Sequence, residues 1–239
     1  MSNIAIVFAG GTGKRMNTSS KPKQFLELHG KPILVYTLEV FNNHPDIDGI
    51  ILVILESWVG YCEDLVEKYR LNKVKAVVVG GETALQSQRN GLNKAVELFG
   101  SDCIVLIHDG VRPLVDEETI SRNIESVKLH GSAITVTPAI ETITIRTETG
   151  EVGEIIDRSK VEMARAPQSF YLTEILEAHR QSEEEGLSFI DSASMMQHFG
   201  HKLYTVEGSP ENIKITTPSD FYIFRALVDA RENSQIFGI

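Results

Sequence analysis

The stretch that most constrains this chain is NIAIVFAGGTGKRMNTSSKPKQF, Asn3 to Phe25, where a short apolar run passes directly into a glycine-rich basic loop. Ile4, Ala5, Ile6, Val7 and Phe8 are continuously apolar over the length of a strand, the pattern of a strand covered on both faces. Gly10, Gly11 and Gly13 then clear side chains from the backbone, so peptide N–H groups can converge on anionic oxygens. Lys14, Arg15, Lys21 and Lys23 follow, and no Asp or Glu precedes Glu27, although the whole chain carries a net charge of -10. A basic cluster on an acidic protein predicts a selected polyanion, a polyphosphate.

Neither familiar phosphate loop fits. A Walker loop ending at Gly13-Lys14 would need glycine where Phe8 stands and a hydroxyl where Arg15 stands. The dinucleotide fingerprint starting at Gly11 and Gly13 meets Met16 at its third glycine, which weakens a nicotinamide-dependent oxidoreductase reading.

Downstream, apolar strands at Gly49 to Leu55, Val74 to Val79, Asp102 to Ile107 and Ser132 to Val136 alternate with amphipathic segments of helical period. Ser57 and Thr83 are predicted helix caps. This alternation predicts an α/β fold, a mostly parallel sheet with helices on both faces. Ligands of such sheets bind at the strands' carboxyl ends, so the loops after Phe8, Val79 and Ile107 should meet over one edge. The rhythm breaks at Pro138: Thr142 to Arg146, the turn TETG, and Val152 to Ile156 read as a projecting β-hairpin with one apolar face, a candidate dimer contact. Thr173 to about Glu185 and Ser192 to His198 read as helices, Lys202 to Val206 as a strand, and the last helix starts at Ser219 or Asp220. Lys214 sits in a strand-like run between Ile213 and Ile215.

At 239 residues the chain is long enough for one large α/β domain or two small ones, and no apolar run approaches the roughly 18 residues of a membrane span. Cys62 and Cys103 lack metal-ligand spacing and are expected to be buried and reduced, in a cytoplasmic protein. Net acidity argues against nucleic-acid binding.

Six ordered blocks, AGGTGKRM, KPKQFLEL with GKPIL, GG near Ser87, HDGVRPLV, APQSF and VEGSPENIKITTPSD, resemble the cytidylyltransferases of methylerythritol 4-phosphate and ribitol 5-phosphate across nearly the whole chain. The resemblance implies a Rossmann-like nucleotidyltransferase, a single domain over 1–239 with residues 139–160 as an arm exchanged across a homodimer. It implies CMP transfer from CTP to a polyol phosphate with release of pyrophosphate. By motif, Arg15, Lys23 and Lys214 are the catalytic cations, and Asp109 holds Mg²⁺. Ala9, Gly10, Gly11, Thr12, Gly13, Gly80, Gly81 and Ser87 bind the nucleotide, and Thr142, Arg158 and Asp191 the acceptor.

The chain departs from the pattern at GGETALQS, where Ala84 stands at the family's usual arginine. Arg89, one turn on, either replaces it or is turned away by the helix. In IDSAS, Asp191 remains while Ser192 takes the place of a second acid. Trp58 with EDLVEKY, HDGVRP with RNIES, and PQSF lean toward ribitol 5-phosphate, whereas VEGSPENIKITTP leans toward 2-C-methyl-D-erythritol 4-phosphate. The balance favours ribitol 5-phosphate, with the methylerythritol enzyme as the alternative and a non-catalytic CTP-binding protein as the reading from another class.

Overall fold

Strand β1, Ser2–Phe8, is the hub of a seven-stranded sheet, and its side chains divide between two cores. The structure, a computed structural model, describes residues 1–10 and 21–237, the side chains of the last four excepted. The remaining strands of this sheet are β4 (Gly49–Ile54), β5 (Val74–Val79), β6 (Cys103–Asp109), β7 (Ser132–Pro138), β10 (Glu162–Tyr171) and β11 (Thr205–Glu207). Their order is β11-β7-β10-β6-β1-β4-β5, and β10 alone runs antiparallel to its neighbours. Two short hairpins stand apart, β2 (Glu27–Leu28) with β3 (Lys31–Pro32), and β8 (Ile143–Arg146) with β9 (Val152–Ile156).

The period of two along β1 decides which helices cover which face. Ala5 and Val7 face α1 (Ile33–Asn43), α2 (Val59–Lys68) and α4 (Glu117–His130) through Phe41, Leu65 and Ile124. Ile4 and Ile6 face α3 (Ala84–Phe99), α5 (Leu172–Glu184) and α6 (Ser192–His198) through Leu92, Ile175 and Met195. Ile4 to Val7 are fully buried, as the continuous apolar run predicts. A third cluster seats α7 (Pro218–Phe237) through Phe224 and Val228 against Leu114 and Ile215. The fold is therefore the predicted doubly covered, mostly parallel sheet. No helix among the described residues is long and apolar enough to cross a membrane.

Four local readings need correction. β10 is a ten-residue strand where the sequence reading sees only a lead-in to α5. Ser57 caps nothing: it lies in a 3-10 turn, Glu56–Trp58, and Trp58 precedes the first residue of α2. The strand expected at Lys202 to Val206 is shorter and later, Thr205–Glu207. Lys214 belongs to no strand, although the Ile215 N–H does donate to the Val111 carbonyl at 2.9 Å. Among the described residues the hairpin β8–β9 pairs only with itself, and Ile145, Val152 and Ile155 on it are exposed. Cys62 and Cys103 are buried free thiols.

Candidate active site

The loops after β1, β5 and β6 meet at the carboxyl end of the sheet because ladder bonds continue past the strands. Ala9 N–H donates to Val53 O at 2.8 Å, Gly80 N–H to Ile54 O at 2.7 Å, and Gly110 N–H to Phe8 O at 2.9 Å. Beyond the residues not described, the chain returns in a 3-10 turn, Lys23–Phe25. Its buried members fix it: Phe25 packs on Trp58 and Tyr61 with ring centroids 4.6 and 5.0 Å away, and Gln24 Nε2 donates to Ala9 O at 2.6 Å. Lys23 is thereby brought back beside Ala9 and Gly10, on the wall of a cleft of about 320 Å³.

Gly81 and Ser87 line the same cleft, and Gly80 adjoins it. The glycines are required by the close approach of α3. A Cβ on Gly81 would lie 2.4 Å from Gln86 Cβ, and one on Gly80 would lie 2.9 Å from Ser87 Oγ. Thr83 caps α3 as predicted, accepting from Gln86 N–H at 3.1 Å, and Gln86 Oε1 accepts from Thr83 N–H at 3.2 Å, a reciprocal capping box. Ser87 Oγ accepts from Gly81 N–H at 3.0 Å and donates to Thr83 O at 2.9 Å, so its hydroxyl holds the loop in shape.

Asp109, the last residue of β6, is 7% exposed and anchors two cations. Arg112 Nε donates to Oδ2 at 2.8 Å, and Lys214 Nζ lies 2.6 Å from Oδ1. Burial opposes ionisation here, but Lys214 and Arg112 outweigh it and hold the carboxyl below its usual range. Arg112 Nη1 also donates to Asn212 O at 2.8 Å, and Asn212 Nδ2 donates to Ala166 O at 2.6 Å. This chain of bonds brings Lys214 over the sheet end from a segment about a hundred residues away in sequence.

A second cleft of about 200 Å³ lies on the other side of Asp109 and Lys214, lined among others by Arg112, Arg165, Gln168 and Asp191. Asp191 caps α6, accepting from Ser194 N–H at 2.9 Å, and also accepts from Gln168 Nε2 at 2.8 Å. Ser192 is buried and donates to Gln88 Oε1 at 3.0 Å. Phe8, Ala84, Asp109 and Lys214 line both clefts and so mark the boundary between them.

The residue profile of the 2-C-methyl-D-erythritol 4-phosphate cytidylyltransferase (IspD) family matches residues 3–230. The chain belongs to that family. It is 51% identical over 240 residues to a ribitol-5-phosphate cytidylyltransferase of Streptococcus agalactiae, covering 100% of both chains. A 2-C-methyl-D-erythritol 4-phosphate cytidylyltransferase of Clostridium acetobutylicum is 44% identical, with 95% of this chain and 97% of that one covered. The crystal structure of the Anaerococcus prevotii 4-diphosphocytidyl-2C-methyl-D-erythritol synthase superposes with a TM-score of 0.83 at 29% identity, covering 95% of this chain and 96% of that one.

Within this cytidylyltransferase the predicted residues Ala9, Gly10, Lys23, Gly81, Ser87, Asp109, Asp191 and Lys214 line the paired clefts. Gly11, Thr12, Gly13 and Arg15 lie outside the described residues. Thr142 and Arg158 are exposed at the arm and line neither cleft; Arg158 Nη1 donates to Ile140 O at 3.1 Å. Arg89 is turned away, paired with Glu183 beside a groove between α3 and α5, so it does not replace the arginine missing at position 84. Sequence reasoning missed Arg165 and Gln168, and saw Arg112 only as a neighbour of Asp109. The signal for Arg112 was present in HDGVRP, three residues beyond the acid.

His108 precedes Asp109 in β6 and is fully buried; its Nε2 donates to Arg112 O at 3.1 Å. Burial pushes it down to about 4, against the pull of the Arg112 carbonyl, and burial with nearby Arg89 likewise pushes His179 down to about 4. Unfolded histidines titrate near 6.5, so between about pH 6.5 and 4 the unfolded chain takes up protons that the folded one refuses. Stability is therefore expected to fall as pH falls through that window, by on the order of 3 kcal/mol per histidine. Thermal midpoints recorded from pH 7 to 4.5 check this, and a His179→Leu variant should show a distinctly shallower decline; an unchanged slope would remove His179 from the account.

Proposed function

We propose that the chain transfers CMP from CTP to ribitol 5-phosphate, giving CDP-ribitol and pyrophosphate. The observation that carries this reading is the pair of clefts sharing Asp109 and Lys214, one on the glycine-loop side and one on the Asp191 side. Two anionic substrates can lie in separate chambers and meet at one charged boundary. The full-length likeness to a ribitol-5-phosphate cytidylyltransferase supports the choice of acceptor.

The acceptor's phosphate oxygen attacks the α-phosphorus, the bond to the bridging oxygen breaks, and pyrophosphate leaves. No strong general base is needed, because a phosphate monoester with a second pKa near 6 is already mostly dianionic at neutral pH. The problem is charge, and fixed cations solve it by alignment and electrostatic stabilisation. Lys23 and Lys214 bear on the α-phosphate and the departing pyrophosphate, with Arg15 completing the set from the basic loop. Ala9 to Gly13 hold the triphosphate through backbone N–H groups, and Gly80, Gly81 and the loop shaped by Ser87 face the nucleoside.

Asp109 suits Mg²⁺. It is the one carboxylate among the described residues lining both clefts, it is held ionised, and no histidine or cysteine lines either. A hard cation with one protein carboxylate and substrate phosphates for its other ligands matches that donor set. When bound, the ion would neutralise phosphate charge during displacement.

The whole chain, 1–239, reads as one cytoplasmic nucleotidyltransferase domain whose arm, 139–160, pairs two copies and brings Thr142 and Arg158 to the partner's acceptor chamber. The exposed apolar face of the hairpin favours that arrangement. The 44% identity to a methylerythritol enzyme keeps that acceptor as the second reading. Incubation with CTP, Mg²⁺ and either ribitol 5-phosphate, 2-C-methyl-D-erythritol 4-phosphate or glycerol 3-phosphate tests it by pyrophosphate release. The expected result is turnover at least tenfold faster with ribitol 5-phosphate. Faster turnover with methylerythritol phosphate would reverse the choice, and tight CTP binding without any release would favour the non-catalytic reading.

A further inference from the structure

Among the described residues, the smaller cleft holds a cation with no carboxylate at ion-pair distance. β10 loses register with β7 between Ala164, opposite Val136, and Gln168, opposite Ile134, so residues 165–167 face Thr135 alone. An irregularity of this kind re-aims side chains relative to a regular strand. Arg165, inside it, lines the smaller cleft and is half-buried, its Nε donating to Thr137 Oγ1 at 3.2 Å.

The other charges of this cleft are accounted for. Arg112 and Lys214 share Asp109, and Asp191 is occupied by Gln168 and the Ser194 N–H. No carboxylate among the described residues lies within ion-pair distance of Arg165. Burial, and then the nearby Arg112 charge, push its pKa below the usual range, so the site strains the charged form of a group that stays protonated regardless. A partly desolvated cation in that position is stabilised by an anion arriving from outside the chain. A guanidinium also presents donors in a fork that matches two phosphate oxygens.

We propose that Arg165 is an acceptor-binding residue that takes the phosphate of the acceptor, holding it for attack across the Asp109–Lys214 boundary. This rests on the reaction proposed above. It assigns the phosphate to the bulge of β10 in the same chain and leaves the polyol to the Asp191 side.

The test compares wild type with Arg165→Gln and Arg165→Lys. With ribitol 5-phosphate, the acceptor KM of Arg165→Gln is expected to rise about 10- to 100-fold while the KM for CTP stays within about twofold, since a charge-assisted contact to one substrate is lost. Arg165→Lys should recover part of the loss. An unchanged acceptor KM, or equal rises in both, overturns the proposal, and thermal midpoints close to wild type exclude misfolding as the cause. Calorimetry with inorganic phosphate separates this from the assigned reaction. If the wild type turns over no polyol phosphate, that reaction fails on its own; phosphate binding lost in Arg165→Gln still supports the site, and binding retained overturns it.

Discussion

Lys214→Met is expected to lower turnover by about a hundredfold or more with little change in the stability of the fold. The loss follows from removing one preorganised charge aimed at a phosphorus centre, where single donors are worth about 10²–10³ in rate. The small stability effect follows from position. The Lys214 side chain is 43% exposed, so its ion pair with Asp109 is partly screened, and Arg112 remains to hold that carboxylate. The rate deficit should appear in kcat rather than in the KM for CTP, because the charge matters most as the pyrophosphate departs. Pyrophosphate release within about fivefold of wild type would falsify the role given to Lys214.

Asp109→Asn is expected to fail twice. It removes the carboxylate assigned to Mg²⁺, so turnover should drop at least as far as in Lys214→Met. It also leaves Arg112, whose side chain is 9% exposed, without its counter-charge. Breaking a buried pair from one side costs about 3–5 kcal/mol, which in a chain of this size lowers the thermal midpoint by roughly 6–20 °C. The double variant Asp109→Asn, Arg112→Met should regain part of that midpoint and none of the activity. A single variant melting within about two degrees of wild type would show that the Asp109–Arg112 pair does not stabilise the fold as described.

These two residues also show what the sequence could disclose. Asp109 was legible because it closes an apolar strand, Cys103–Asp109, within the motif HDGVRP. β1, β4 and β6 were legible for the same reason, being apolar without interruption. Thr83 announced α3 because a capping box is local chemistry, written within four residues. Ser57 failed as a cap because the aromatic contacts of Trp58 with Phe25 and Tyr61 accompany a 3-10 turn there, a tertiary preference no cap rule contains.

β10 was hidden for a different reason. Pro167 lacks the N–H that a central strand donates, and Glu162 to Arg165 show no clean alternation, so local rules argue against a strand. The bulge resolves the conflict by leaving Ala166 and Pro167 out of the ladder. Arg165 was invisible with it, since its meaning depends on a neighbour, Arg112, that is distant in sequence, and on the lack of a carboxylate nearby.

The continuity of β10 also links the arm to the cleft. Glu162 to Ala164 pair with β7 just past the arm's 3-10 turn, Arg158–Lys160, while Gln168 to Phe170 are held between β6 and β7. The arm and the smaller cleft are therefore joined through one strand with no loop between them, and the irregularity between Ala164 and Gln168, where Arg165 lines that cleft, is the single interruption of its pairing with β7.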